Sequence, residues 1–230
     1  MDKKTLLNNI LSDTNSILEN IKWNMGGLIG IISLISNPQM YFLPSIPLRI
    51  NIEDLNIDSY QCLGISLLEK DRKHRIDELL ASAKRSLICE SLEISADSLV
   101  RVSRIMITGN DPYQNDDYFN TDIRELWNPK NGKAGALLNK EHRHFFEKCI
   151  APLRNYIRHH NGIMPPNKFI KYEGNPAGKD FTINYEWRKD KDNNIKIKLD
   201  VAFYLFESIS NICIGGINKG LIDLNNKNEV

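Results

Sequence analysis

Apolar residues recur at helical spacing through four long stretches of this chain, residues 4–36, 59–108, 138–161 and 202–221, and they leave little sequence for any other kind of structure. In "HRIDELLASAKRSLICESLEI", Ile76, Leu79, Leu80, Ala83 and Leu87 fall along one side of a helix. Strict alternation of apolar and polar residues occurs only late, in "FTINYEW" and "IKIKLDV" on either side of "RKDKDNN". That alternation predicts a β-hairpin near 181–201, with Phe181, Ile183, Tyr185 and Trp187 facing Ile195, Ile197, Leu199 and Val201. The expected class is mainly α, with a small β-hairpin before the last helix.

Punctuation sets the boundaries. Pro38, Pro44 and Pro47 break the chain after the first helix, and Ser95 is placed to cap a further helix through "ADSLVRVSRIMI". The polar stretch 109–137 reads as a long connection with one short helix around Ile123–Trp127. Gly162, Pro165 and Pro166 end the helix that begins near Leu138, and Pro152 should kink it or start it afresh. We expect residues 1–70 as an N-terminal helical extension packed on a core of 71–230.

With 41% hydrophobic and 26% charged residues the chain reads as an ordinary globular protein and not a disordered one. Cys62, Cys89, Cys149 and Cys213 are scattered, without the close pairs of a zinc or redox motif, and read as reduced core thiols of a cytoplasmic protein. The N-terminal segment is polar and amphipathic, unlike a secretion leader. The apolar run from Met25 to Ser36 is shorter than the roughly 20 residues a bilayer span needs. Its Gly26 and Gly30 suit close helix packing, and no membrane association is expected. No nucleotide-binding loop, serine-hydrolase elbow or dinucleotide glycine fingerprint is present, and no cofactor is expected.

The charge is unevenly spread. Between Lys130 and Asp180 ten Lys/Arg stand against four acids, a local +6 within a chain of +1 overall, and four of the five histidines lie there too. Phe145, Phe146, Tyr156, Phe169 and Tyr172 are interleaved with these charges, which suits a polyanion such as RNA. Lys140, Arg143, Lys148 and Arg158 are the candidate phosphate contacts. Trp127 is a candidate for stacking on a base, while Trp23 and Trp187 read as core or interface.

The densest packet of reactive side chains is "APLRNYIRHHNG", from Ala151 to Gly162. On a straight helix Phe146, Cys149, Ile150, Leu153, Ile157 and His160 share one stripe about 60° to either side. His160 is thereby assigned to the core and becomes the reserve candidate, while His159 remains for chemistry. Arg154 and His159 lie about 140° apart on that wheel. Either the helix end distorts, or a second copy of the helix supplies the partner group. Glu147 is positioned to orient Arg154 or to form a plain surface ion pair.

These residue types suit cleavage of RNA without a metal. A base takes the 2′-hydroxyl proton, an acid protonates the departing 5′-oxygen, and a cation steadies the charged phosphorane between them. Histidine serves the first two roles because it titrates near neutrality, and arginine serves the third because its planar fork matches phosphate oxygens and stays charged.

"RNYIRH", Arg154 to His159, resembles the R-x4-6-H signature of the HEPN superfamily, including the polar residue after the arginine, here Asn155. The resemblance implies an HEPN-like helical bundle and a metal-independent endoribonuclease with a composite dimeric site, of the kind active in defence or toxin–antitoxin systems. It implies Arg154 and His159 as the catalytic pair, Asn155 as an orienting group, RNA as substrate, a homodimer, and a protein inhibitor among the partners. In toxins of this family paired with a nucleotidyltransferase, a tyrosine often stands two residues after the histidine. Here Asn161 occupies that place, which puts that mode of control in doubt.

Two other readings stay open. One is a catalytically silent module of the same kind that binds RNA or a protein. The other is a purely structural helical protein, in which Arg154 sits in an internal ion pair with no open cleft around it. A metal site built from His142, His144 and the His159–His160 pair is the lesser reading, because residues two apart do not share a helix face.

Overall fold

The computed structural model describes residues 2–36, 77–78, 80–112, 123–128, 134–160, 162–189, 191 and 193–228. The expected proline break at 37–50, helical residues 59–76, Cys62 and Asn161 lie outside the described residues. The protein is mainly helical with one small two-stranded antiparallel sheet.

The chain divides into two compact units, Met1–Lys22 with Lys84–Val230, and Trp23–Ala83. The first 22 residues belong to the larger unit, because Leu6, Leu7, Ile10 and Leu18 are all buried there. In the smaller unit, 23–36 and the described part of 77–83 are helical. Trp23 is 77% exposed, so of the two expected places, core or interface, it does not take the core. Among the described residues, a Cβ on Gly26 would meet nothing within 4 Å.

In the larger unit, helix α1 (Lys3–Ser36, of which 3–22 belong here) is followed by α2 (Ser91–Thr108), entered through a π-turn at Ser86–Glu90. Ser95 is not a cap. It lies fully buried inside α2, because the helical pattern from Leu87 onward runs through it without a break. Gly109, at φ +82°, ends α2 in the left-handed conformation that glycine adopts most readily. Single 3-10 turns follow at Ile123–Leu126, as expected, and at Ala134–Leu137.

Asn139 then caps α3 (Lys140–Phe145) by accepting the His142 N–H at 2.7 Å. Helix α3 runs through a second π-turn, Phe146–Ile150, into α4 (Ala151–His159). At that turn the Ala151 N–H reaches back to the Phe146 carbonyl. Pro152 stands in the first turn of α4, as the expected fresh start allows, and the widened turn before it leaves room for a ring that has no N–H to offer.

Strands β1 (Phe169–Gly174) and β2 (Phe181–Glu186) pair antiparallel, with Ile170 opposite Tyr185 and Tyr172 opposite Ile183. The hairpin therefore uses the expected strand from Phe181, but its partner precedes it instead of following. Residues 195–198 make no second ladder. Ile195 N–H bonds the Gly162 carbonyl at 2.7 Å, and from Leu199 the chain is already in helix α5 (Leu199–Asn228). The alternation in "IKIKLDV" loses to helical spacing because Ala202, Leu205, Phe206 and Ile209 form a continuous buried stripe. Burying that stripe draws Leu199 and Val201 into the helix.

Helices α2 and α5 make the main contact of the core. Gly216 permits their close approach, since a Cβ there would stand 2.6 Å from Leu99 Cδ2. Across the bundle, buried Thr14 and Ser98 hydroxyls share a 2.8 Å hydrogen bond. By length and composition α5 is apolar enough to cross a membrane, and half of its most apolar window is buried inside the protein. Cys89, Cys149 and Cys213 are buried free thiols, and burial pushes Cys213 up to about 12.

Candidate functional site

The site is built at the C-terminal end of α4. His159 is its last helical residue, and the His160 and Gly162 N–H groups both close onto the Tyr156 carbonyl, at 3.1 and 2.9 Å. Gly162 takes φ +78°, which lets the chain leave sharply at this point. The turn is tied to the segment before α5 by the Met164 N–H, 2.9 Å from the Asn193 carbonyl. The end of the motif helix is thus pinned on both sides.

Arg154 and His159 meet within one chain. Arg154 Nη1 lies 3.2 Å from His159 Nε2 and 3.2 Å from Asn155 Oδ1. The expected divergence does not keep them apart. Five residues separate their Cα atoms by only about 9 Å on a helix. That gap lies within the joint reach of an arginine and an imidazole, and the arginine stem runs along the helix to close it. A guanidinium can only donate, so this contact is a hydrogen bond when Nε2 carries its lone pair and the ring proton sits on Nδ1.

Sequence reading missed the residue that holds the arginine. Glu93 of α2 accepts from Arg154 Nη2 at 2.8 Å, and the same carboxylate oxygen also meets Arg158 Nη1. Sixty-one positions separate Glu93 from Arg154, and no local spacing signals such a pair. The one available hint was an acid in the first turn of α2, one turn beyond Cys89, on a helix whose other face is apolar. Of the two readings for Glu147, the plain surface ion pair is the one observed, with its neighbour Lys148 at 3.0 Å.

Exposure divides the cluster. The Arg154 side chain is only 18% exposed, and its Nε is buried with no hydrogen-bond partner among the described residues. Asn155 and His159 are exposed, and the Arg158 side chain is 48% exposed. His160 is exposed as well, which corrects its assignment to the apolar stripe. The helix has ended before it (φ −123°, ψ 18°), so it leaves the wheel, and its ring leans on Tyr156 with centroids 5.9 Å apart. Burial raises the Cys89 thiol, and the Arg154, Arg158 and Arg85 guanidinia oppose that rise.

The remaining candidates do not gather here. Lys148 is about 9 Å further back along the helix, Arg143 about 16 Å and Lys140 about 21 Å. Lys140 is exposed at the start of α3, while Arg143 is half-buried, its stem beside Gly135. His142 and His144 also belong to that far end. Burial lowers His142, opposed by Glu141, and the His144 ring lies 5.8 Å from Tyr172. Trp127 and Trp187 are both half-buried. Among the described residues no three His, Cys, Asp or Glu side chains come together as cation ligands.

The finished arrangement is one guanidinium shared among a carboxylate, an amide and an imidazole, opening to solvent on the imidazole side. Such a group can accept a proton at Nε2 and offer guanidinium N–H groups to an anion beside it. No family model, curated protein or solved structure matches the chain.

Proposed function

We propose that this protein is a metal-independent endoribonuclease of the HEPN type, serving bacterial defence or a toxin–antitoxin or stress response. The observation that supports this most is the 3.2 Å contact between Arg154 Nη1 and the exposed His159 Nε2, with Asn155 on the same guanidinium. In the reaction His159 Nε2 takes the proton of a 2′-hydroxyl as its oxygen attacks the adjacent phosphorus. Arg154 donates to the non-bridging oxygens as charge builds on them. The bond from phosphorus to the 5′-oxygen breaks, that oxygen takes up a proton, and a 2′,3′-cyclic phosphate is left.

One His159 provides one proton-transfer group per chain. A homodimer with facing motif helices would bring a second, and that is the reason for keeping the dimer in the proposal. RNA is the substrate, Lys148, Arg143 and Lys140 line the path of a strand away from the site, and an inhibitory protein partner belongs to the same proposal. The test is RNA cleavage by the purified chain in EDTA, with analysis of product ends. Cyclic phosphate termini, abolished by Arg154→Ala or His159→Ala, support the reading. Cleavage that depends on added divalent metal, or that survives both substitutions, sinks it.

A second reading is favoured by one specific observation: Glu93 engages both Arg154 and Arg158. A guanidinium already held by a carboxylate suits a silent helical module, or a structural protein, in which the pair joins α2 to α4. Salt-sensitive RNA binding without turnover would identify the silent module.

A further inference from the structure

We infer that Glu93 is a positioning residue that sets the Arg154 guanidinium against His159; as a statement about catalysis this rests on the ribonuclease reading. Arg154 has three nitrogens, and the two terminal ones carry its contacts. Nη2 donates to Glu93 at 2.8 Å, Nη1 meets Asn155 and His159 at 3.2 Å each, and Nε is buried without a partner among the described residues.

Glu93 is the only one of these contacts that comes from outside α4. Asn155 and His159 are both on the motif helix and both exposed, so neither can fix the arginine relative to the rest of the bundle. The guanidinium is planar, so anchoring Nη2 on α2 fixes the direction in which Nη1 points. Arg158 strengthens the anchor by meeting the same oxygen, Oε1 of Glu93. Two cations on one carboxylate leave an excess of positive charge beside His159, where an anionic substrate would be received. Neither the acid's role nor its partner is visible in the R-x4-6-H pattern, because the acid is on another helix.

The test has two arms on the full-length protein. The first is spectroscopic and needs no RNA: the side-chain nitrogen resonances of Arg154 in ¹⁵N-labelled protein. Held as described, Arg154 gives separate Nη1 and Nη2 signals, because rotation of its terminal groups is hindered. Glu93→Ala is expected to merge them, and Glu93→Asp to restore them in part. The second arm is kinetic. Glu93→Ala is expected to lower kcat by about tenfold or more with KM within about twofold, and Glu93→Asp to recover part of the loss. Thermal melts taken alongside should show both variants folded. If the alanine variant does not fold, Glu93→Gln keeps the side-chain length, removes the charge, and takes both measurements in its place.

Separate signals that persist without the carboxylate, or a single averaged signal in the native protein, overturn the assignment. So do merged signals accompanied by an unchanged or raised kcat. If the native protein cleaves no RNA, the ribonuclease reading fails, and the resonances alone then decide whether Glu93 positions Arg154.

Discussion

Nη1 of Arg154 and Nε2 of His159 stand 3.2 Å apart across the last turn of α4, inside a single chain. The pair is thus complete before any second copy is present, and this determines how mixed variants should behave. Under the proposed ribonuclease function, Arg154→Ala and His159→Ala are each expected to lower kcat by about 100-fold or more. The double variant should be hardly worse than either single one, because the two residues act as a unit. Mixing the two inactive single variants should restore no more than a few per cent of activity, since no chain in the mixture carries both groups. Substantial complementation on mixing would show that the working pair is assembled across two chains.

The histidines should separate cleanly. His160 lies beyond the helix end with its ring against Tyr156, so His160→Ala is expected to keep at least about half of the native kcat while His159→Ala does not. Steady-state cleavage of one RNA substrate by the two variants measures this. An inactive His160→Ala protein with a native melting curve would transfer the role of base to His160.

Packing of α2 on α5 leaves no space for a methyl group at Gly216, where a Cβ would lie 2.6 Å from Leu99 Cδ2. Gly216→Ala is therefore expected to cost about 1–3 kcal/mol by overpacking, although alanine is the better helix former. Urea unfolding with a comparison of midpoints checks it. A stabilised Gly216→Ala variant would mean that the helices separate there with little cost.

His142 carries a pH signature. Burial lowers its pKa below the ordinary 6.5, so the unfolded chain takes up this proton before the folded one does. Its contribution is present above about pH 6.5 and is lost as pH falls through the folded value. His142→Gln should accordingly flatten the decline in stability below pH 6.5, by a small amount because the ring is only partly buried. Denaturant midpoints at several pH values, native against variant, give the difference in slope. Parallel curves would contradict the assignment.

Most of the fold was legible where periodicity is long. The helices at 3–36 and 140–159 and the closing helix all follow from apolar spacing and from Gly162, because a stripe of that length admits few other structures. The hairpin was half legible. "FTINYEW" gave β2, but "FIKYEG" has only Ile170 and Tyr172 as its buried alternation, and "IKIKLDV" imitated a better partner. Four alternating residues cannot reveal that the helix behind them begins at Leu199.

In the site, Arg154, Asn155 and His159 could be named from six residues, whereas Glu93 could not. An ion pair across 61 positions is decided by how two helices pack, and a wheel drawn for one helix contains no information about the other. The wheel also overstated the distance between Arg154 and His159, because it records where side chains start and not how far they extend.

The π-turns at Ser86–Glu90 and Phe146–Ile150 lie just upstream of Glu93 and of Arg154. Each makes room for one residue more than an α-helical turn holds, and so sets the phase of the helix that follows it. Losing a single residue from within either turn would close it to an ordinary α-helical turn with the downstream phase almost unchanged. Losing one from the α-helical residues between the turn and its charged residue would instead rotate everything downstream by about 100°. Glu93 or Arg154 would then point into a different quarter of the bundle while the apolar composition stayed the same. Point changes around the site are thus far better tolerated than such a deletion, and the spacing from each turn to its charged residue is a length that drift in this sequence has to preserve.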